Sequence, residues 1–230
     1  MWPLSAEGAR VDFSLYLITD RRSLAPGQDL LATVRAALLG GVRAVQLREK
    51  DLTAAELYPL ALEFRRLTRE FGAKLLINDR VDLALAVDAD GVHLGSHSLP
   101  VAVARQLLGA EKIIGVSTHS SAEVARAAVA GADFVTCGPV YTTPSKASYG
   151  PPLGLEAFAV ACAHAPLPVF ALGGVTLARL PELRVVGCQR IALIAAILHS
   201  EDATTTAQSL LRALADPTSP AFPYHPNPSH

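Results

Sequence analysis

Three polar side chains occupy every second position of the stretch QLREKD, residues 46–51. Gln46, Arg48 and Lys50 share one face if this stretch is extended, because successive side chains of a strand point to opposite sides. An Arg fork and a Lys ammonium on one face can hold a diphosphate or another anion. A solvated, salt-bridged strand end has the same pattern, so both interpretations stand at this point.

A polar pair follows another apolar run, in the stretch INDRVD, residues 77–82. The Asn78 carboxamide can hydrogen-bond a heterocycle, and the Asp79 carboxylate can ligate a hard cation such as Mg²⁺. The alternative is an Asn-Asp turn that caps the next short helix.

The stretch GVSTHSSAE, residues 115–123, places Ser117 and His119 just before a helical segment. A histidine there can move a proton near neutral pH. The helix N-terminus disfavours its cationic form, and Ser120 can serve simply as the N-cap. We favour a functional role for His119.

The stretch GPVYTTPSKASYGPPLG, residues 138–154, contains too much Gly, Pro, Thr and Ser to continue a strand or a helix. Within it, Thr143, Ser145 and Lys146 place two hydroxyls near one ammonium, which makes them candidate anion ligands. The alternative is a long surface connection without a ligand.

Two adjacent glycines, Gly173 and Gly174, follow the apolar run PVFAL. Glycines allow the backbone to approach a phosphate closely, so that its amides can donate to the phosphate oxygens. A double glycine alone is weak evidence, and its weight depends on its place in the fold.

These candidate residues follow short apolar runs that alternate with amphipathic helical segments. The runs cover residues 15–19, 44–48, 74–78, 91–95, 112–117, 133–138, 168–173 and 190–194. Strands that alternate with helices predict parallel pairing with right-handed crossovers. Eight such units within about 200 residues favour a single α/β domain, a closed (β/α)₈ TIM barrel, over an open doubly wound sheet. The candidates then stand at the carboxyl ends of the strands, where barrel enzymes place catalytic residues.

Two of the helical segments begin with a capping-box pattern. Thr53 and Glu56 form the first pattern, and Pro59 within that segment should kink the helix or shift its start. Ser120 and Glu123 repeat the pattern before the helix that follows the fifth run.

The composition is that of a globular protein, with half of its 230 residues apolar and a formal net charge of −1. Such a chain has no overall basic field, so neither nucleic acid nor a membrane is an expected partner. Cys137, Cys162 and Cys188 are spread out, which suits reduced thiols in core packing. No signal peptide or membrane span is recognisable, and we expect a cytoplasmic protein.

The expected domain organisation is simple. Residues 1–13 form an N-terminal extension, residues 14–215 form the barrel, and residues 216–230 form a Pro-rich tail that we expect to be disordered.

Five stretches, in this order over about residues 14 to 200, resemble the thiamine phosphate synthase/TenI superfamily. They are QLREKD, INDRVDLALAVDADGVHLG, IIGVSTHS, GPVYTTPSK and FALGGV. The resemblance implies a TIM barrel that acts on the phosphorylated thiazole half of thiamine. Barrels of this kind often pair, so a homo-oligomer is possible.

The synthase branch of this family displaces diphosphate from hydroxymethylpyrimidine diphosphate with the thiazole nitrogen, assisted by Mg²⁺. The resemblance implies that Gln46, Arg48, Lys50 and Asn78 bind the pyrimidine diphosphate and that Asp79 binds the metal. It further implies that Ser117, Thr143, Ser145 and Lys146 line the diphosphate and thiazole region. Gly173, Gly174 and the amides near Ile194 and Ala195 would hold the thiazole phosphate.

The sequence departs from the synthase pattern after the fourth run. Synthases typically have H-x-G-Q-x-D, whereas this chain has HLGSHS, residues 93–98, so that Ser98 replaces a second Mg²⁺ carboxylate. This serine pattern resembles the TenI branch, whose thiazole tautomerases need neither metal nor pyrimidine. In that branch the histidine at His119 is the proton carrier. The candidate catalytic residues are therefore His119 and Lys146.

We expect a thiazole tautomerase first, without a cofactor, and a thiamine phosphate synthase with Mg²⁺ as the alternative. The retained QLREK and INDR stretches favour the alternative. A third possibility is a non-catalytic sensor of a phosphate ligand, which the sequence supports least because Arg48, His119 and Lys146 exceed what one phosphate requires.

Overall fold

The computed structural model describes residues 10–143 and 151–216 of the chain. Its strands are β1 Leu15–Ile18, β2 Ala44–Leu47, β3 Lys74–Asn78, β4 Gly91–Leu94, β5 Ile113–Thr118, β6 Phe134–Cys137, β7 Val169–Leu172 and β8 Ile191–Leu193. Its α-helices are α1 Leu30–Leu39, α2 Ala54–Glu70, α3 Val81–Ala86, α4 Val101–Leu108, α5 Ser121–Val129, α6 Gly154–Ala163, α7 Leu180–Val185, α8 Ala195–Leu198 and α9 Ala203–Ala215. Short 3₁₀ helices cover Arg21–Ser23 and Leu177–Arg179.

The eight strands form one closed parallel barrel. Each strand pairs with the next in the sequence, and β1 pairs with β8 through Tyr16 and Ala192. Every apolar run identified in the sequence overlaps one strand, and only β5 extends beyond its run, by the single residue Thr118. The predicted (β/α)₈ TIM barrel is confirmed, and the β1–β8 pairing excludes the open doubly wound sheet.

The barrel has two apolar cores. The larger core lies between the outer faces of the strands and the surrounding helices, and it includes Leu17, Val45 and Phe64. The smaller core fills the barrel interior, where Phe134 and Phe170 have no exposed surface. Polar side chains next to this inner core therefore contact rigidly packed apolar side chains.

Helix capping follows the sequence pattern with one informative difference. Thr53 caps α2 with both bonds of the capping box, and the helix runs without interruption through Pro59, so its start is not shifted. At α5, Ser120 accepts from the backbone amide of Glu123, but the Glu123 carboxylate accepts from the amide of His119. That second bond fixes the backbone of a candidate catalytic residue.

The cysteines pack in the interior. Cys137 and Cys188 are buried, Cys162 is partly buried, and all three are free thiols. Burial raises the pKa of the Cys137 and Cys188 thiols to about 11, so both stay protonated near neutral pH.

None of the helices in the described part of the chain combines the length and apolarity that a membrane span requires.

A layer of rings crosses the barrel interior. Phe134 packs edge-on against Tyr16, with ring centroids 5.3 Å apart, and His93 lies 5.7 Å from both rings. Gly115 leaves the room that this layer needs, because a Cβ there would lie 2.4 Å from Phe134 Cζ and 2.6 Å from His93 Nδ1.

Replacing Gly115 with Ala should destabilise the protein by about 1–3 kcal/mol, because the added methyl group overpacks the ring layer. Urea unfolding measures the change in the free energy of unfolding. Gly95→Ala is the matched control, since its added Cβ would meet only ordinary contacts, 3.8 Å from Asp79 Oδ1. Equal stability of both variants and the parent would contradict this packing account.

Candidate active site

A cavity of about 510 Å³ opens at the carboxyl ends of the strands. Its polar or glycine lining residues are Asp20, Ser23, Ser117, Thr118, His119, Thr136, Gly138, Thr143, Gly173, Gly174 and Thr176. The rest of the wall is apolar and consists of Pro139, Leu172, Val175 and the residues from Ala192 to Ala196. The cavity lies where the fold predicts an active site.

One end of the cavity is built from backbone. Gly173 and Gly174 have φ angles of 94° and 65°, a conformation that favours glycine, and they turn the chain directly after β7. The carbonyl of Gly174 accepts from Arg179 Nη1 at 2.6 Å, which fixes this turn. Helix α8 has no side-chain N-cap, so its first amides, at Ala195 and Ala196, are available to a ligand.

This backbone end is suited to an anion, although the described residues contribute no cationic side chain to it. None of the described residues that line the cavity is Lys or Arg. Amides and hydroxyls must therefore provide the hydrogen bonds to a phosphate, as they do in many barrels after strands seven and eight.

His119 is held by two bonds at the cavity wall. Its amide donates to Glu123 Oε2 at 2.7 Å, and its Nδ1 donates to the carbonyl of Gly138. A neutral ring bonded in this way carries its proton on Nδ1 and presents Nε2 as an acceptor. His119 and Ser117 both line the cavity.

A chain of four buried or half-buried side chains crosses the barrel below the cavity. Gln46 Nε2 donates to Tyr16 Oη at 3.0 Å, and Tyr16 Oη lies 3.5 Å from His93 Nδ1. His93 Nε2 lies 3.0 Å from Ser117 Oγ, which lines the cavity. The chain links the inner faces of β2, β1, β4 and β5.

The ionisable members of this chain are uncharged near neutral pH. Burial lowers the pKa of His93 to about 3, with a smaller raising effect of Asp79 and a smaller lowering effect of Arg48. Burial also raises the pKa of Tyr16 well above its ordinary value, against a smaller lowering effect of its bond from Gln46. Both groups stay neutral because an ion at this depth would lose its hydration.

The predicted single face of Gln46, Arg48 and Lys50 is only partly correct. Strand β2 ends at Leu47, and Gln46 points into the barrel while Arg48 is half-buried. Lys50 lies in a turn, closed by a bond from the Leu52 amide to the Glu49 carbonyl, and is exposed. The turn interrupts the alternation that an extended segment would need.

Arg48 carries a positive charge close to the site. Its guanidinium has no carboxylate partner within 4.0 Å among the described residues, although its neighbour Glu49 accepts from Arg21. A half-buried cation without a counter-ion is available to an anionic ligand.

The ends of β3 and β4 bring Asp79 and Ser98 into contact. Asp79 has a φ angle of 61°, an uncommon conformation outside glycine that turns its carboxylate toward the following loop. Asp79 Oδ1 accepts from the Ser98 hydroxyl and Oδ2 accepts from Asn78 Nδ2 at 2.7 Å. The position that lacks a carboxylate in this sequence is therefore next to the one that keeps it.

This pair offers few ligands for a metal ion. Within residues 10–143 and 151–216, no group of three His, Cys, Asp or Glu side chains is arranged to hold one. Asp79 and Ser98 together supply a carboxylate and a hydroxyl. Mg²⁺ commonly binds to one or two carboxylates and completes its shell with substrate phosphates and water, so the donor set fits a shared ion.

Several cavity residues were not singled out from the sequence. Asp20 and Ser23 come from the loop after β1, and Thr136 comes from β6.

Tyr16, below the cavity, was also not singled out. It lies inside an apolar run, where a phenol is expected to pack in the core. The signal that could have found it is period two, which places Tyr16 and Ile18 on the inner face of β1.

The loop after β6 is described only in part. Thr143 lines the cavity, as predicted, while Ser145 and Lys146 lie outside the described residues. The chain is described again from residue 151, and α6 begins at Gly154.

The barrel and its cavity define the class of protein. A glycine pair after β7 and uncapped amides after β8 are features of TIM-barrel enzymes that bind phosphorylated ligands. The chain belongs to the thiamine monophosphate synthase family, whose sequence model matches residues 15–197.

Named relatives agree with this assignment. A "Putative thiamine-phosphate synthase" of Geobacter sulfurreducens is 57% identical, over 90% of this chain and 96% of its own. The thiamine-phosphate synthase of Syntrophomonas wolfei is 46% identical, over 86% of this chain and 95% of its own. A solved structure, thiamine phosphate pyrophosphorylase from Pyrococcus furiosus, has a TM-score of 0.81 and 36% identity, and the match covers 90% of this chain and 98% of that one.

The predicted enzyme of thiamine biosynthesis is confirmed by these matches. The preference for a tautomerase over a synthase is not supported, because these relatives are named as synthases.

The buried His93 should make stability depend on pH. Its pKa is about 3 in the folded protein and near 6.5 in an unfolded chain, so between these values only the unfolded state binds the proton. The free energy of unfolding should therefore fall as the pH decreases below about 6.5, by up to about 1.4 kcal/mol per pH unit from this residue.

Urea unfolding between pH 7.5 and 5.5 tests this expectation, with His93→Gln flattening the pH dependence. His164→Gln is the control, because His164 is exposed at the end of α6. An unchanged pH slope in His93→Gln would show that His93 is not held neutral.

Proposed function

We propose that the protein is a thiamine phosphate synthase, which joins hydroxymethylpyrimidine diphosphate to thiazole phosphate and releases diphosphate. The observation that carries the proposal is a set of polar side chains, Arg48, Asn78 and Asp79, at the carboxyl ends of β2 and β3, on the barrel face that bears the cavity. A tautomerase needs one phosphate site, whereas a synthase must hold two phosphorylated substrates together. The names of the relatives support the same choice.

The thiazole phosphate is assigned to the backbone end of the cavity. Gly173, Gly174 and the amides at Ile194 and Ala195 supply donors there, and the adjacent wall is apolar enough for a thiazole ring. The ring nitrogen must approach the pyrimidine methylene carbon from this side. Holding both reactants in line lowers the barrier because the orientation is established on binding.

The diphosphate is assigned to the ends of β2 and β3. The bond between the methylene carbon and a diphosphate oxygen breaks, its electron pair stays on the diphosphate, and the thiazole nitrogen bonds to the carbon. Arg48 stabilises the negative charge that collects on the leaving oxygens. Lys50 adds positive charge from the neighbouring turn, and Ser145 and Lys146 are proposed ligands of the same anion.

The pyrimidine ring is assigned to the carboxyl ends of β2 and β3, near Gln46 and Asn78. The Asn78 Nδ2 donates to Asp79, which leaves Asn78 Oδ1 as an acceptor for an amino group on the ring. Gln46 is fixed by its bond to Tyr16.

Asp79 and Ser98 would hold Mg²⁺ together with the substrate diphosphate, because their oxygens are adjacent hard donors. When bound, the ion would neutralise charge on the diphosphate. The protein is expected to act in the cytoplasm, and a homo-oligomer remains part of the proposal.

The direct test incubates the purified protein with both substrates and Mg²⁺ and measures thiamine phosphate by its oxidation to a fluorescent thiochrome. The carboxythiazole phosphate tautomer alone is assayed in parallel by NMR. Conversion of that tautomer without any thiamine phosphate would replace the synthase with the tautomerase. Ligand binding with neither reaction would leave the non-catalytic sensor.

Arg48→Gln should lower kcat/KM for the pyrimidine diphosphate by about a hundredfold, because a charged donor to the leaving group is lost. Steady-state kinetics of thiamine phosphate formation measure this fall in kcat/KM. Arg66→Gln is the matched control, since Arg66 is exposed on the outer surface of α2. A loss of less than twofold in Arg48→Gln would exclude Arg48 from the diphosphate site.

Ser98→Asp should lower the Mg²⁺ concentration for half-maximal binding with inorganic diphosphate, by about tenfold, because a second carboxylate joins Asp79. Isothermal titration calorimetry measures the shift, with Ser98→Ala as the control that adds no charge. If Ser98→Asp and Ser98→Ala bind Mg²⁺ equally, the ion does not lie between these residues.

A further inference from the structure

The side chains of Gln46, Tyr16, His93 and Ser117 form a buried hydrogen-bonded chain, here called the inner chain. Gln46, Tyr16 and His93 are at most 3% exposed, and Ser117 is half-buried where it meets the cavity. Tyr16 and His93 lie below the cavity and do not line it. Their hydrogen bonds connect Gln46, which is buried, to Ser117, which lines the cavity.

The hydrogen bonds of the inner chain run in one direction, with each donor assigned from the hydrogens that its side chains carry. Tyr16 Oη accepts from Gln46 Nε2, so its own hydrogen must find another acceptor. His93 Nδ1 is that acceptor, at 3.5 Å. If His93 Nδ1 carried a hydrogen instead, the Tyr16 hydroxyl hydrogen would be buried without a partner, which is unfavourable.

The direction then continues to Ser117. An imidazole whose Nδ1 accepts a hydrogen bond carries its ring hydrogen on Nε2. The Nε2 hydrogen points at Ser117 Oγ, 3.0 Å away. Thr136 Oγ1 is also near Nε2, at 3.5 Å, and is the weaker acceptor.

The charged groups that act on His93 come from two neighbouring strand ends. Asp79 favours the protonated imidazole and Arg48 opposes it, and both effects are smaller than burial. Tyr16, Phe134, Ser117 and Thr136 surround the ring from the other elements, and none of these side chains is charged.

We propose that Tyr16 and His93 are positioning residues that make Ser117 a hydrogen-bond donor to an anionic substrate oxygen in the cavity. Ser117 Oγ accepts from His93 on one side, so its own hydrogen is directed into the cavity. In the same chain, Gln46 Nε2 donates to Tyr16 Oη, so Gln46 Oε1 is the acceptor for a substrate amino group. This inference rests on the proposed function for the identity of the substrates, although the chain itself does not.

Tyr16→Phe removes the donor to His93 Nδ1 and frees the imidazole to take the other tautomer. The account predicts a fall in kcat of about tenfold to a hundredfold with little change in KM, since a donor to the developing charge is lost. Ser117→Ala should cause a similar fall. The decisive measurement is the double variant, which should be no slower than Ser117→Ala, because Tyr16 acts through Ser117.

Losses that multiply in the double variant would show that Tyr16 contributes to packing alone and would overturn the proposal. Tyr58→Phe is the matched control, since Tyr58 is exposed on α2 and should be unaffected. His93→Gln keeps an acceptor and a donor and should retain more activity than His93→Leu. Equal activity of those two variants would also count against the proposal.

A second readout does not depend on catalysis. The same double-variant cycle is measured for the binding of inorganic diphosphate and inorganic phosphate by calorimetry. Tyr16→Phe and Ser117→Ala should weaken binding of one of these anions by about the same factor, without a further loss in the double variant. If thiamine phosphate is never formed but this binding cycle is non-additive, the proposed function fails and the inner chain stands.

Discussion

An uncharged imidazole in the centre of the barrel is the constraint on which the site depends. His93 lies among the rings of Tyr16 and Phe134, and Gly115 provides the space for it. Burial lowers its pKa to about 3, so the ring can accept one hydrogen bond and donate one. A charged ring would have to donate at both nitrogens, which would leave the Tyr16 hydroxyl hydrogen without an acceptor.

The barrel divides the two kinds of anion contact between different parts of the fold. Backbone amides after β7 and β8 suit a phosphate that must stay bound, because they are rigid and neutral. In the proposed function, the guanidinium of Arg48 after β2 contacts the departing diphosphate, which needs full positive charge. A chain with a net charge of −1 can therefore bind two anionic substrates without an overall basic field.

The barrel could be predicted from the sequence because each of its strands is a short apolar run followed by a polar or glycine break. The same logic found Gly173, His119 and Asp79, since each directly follows a strand. It failed at Lys50, because a local turn after β2 replaces the extended backbone that the spacing assumed. It also missed Tyr16. The partners of its hydroxyl group, Gln46 and His93, come from β2 and β4 and are brought beside it only by the fold.

The tautomer of His93 tests the central claim most directly. Nitrogen-15 NMR of the imidazole, assigned by comparison with His93→Gln, reports which ring nitrogen carries the proton between pH 5.5 and 8. The account predicts a neutral ring throughout this range, with the hydrogen on Nε2 and Nδ1 unprotonated. A proton on Nδ1, or a titration with a midpoint near the ordinary value of about 6.5, would contradict it.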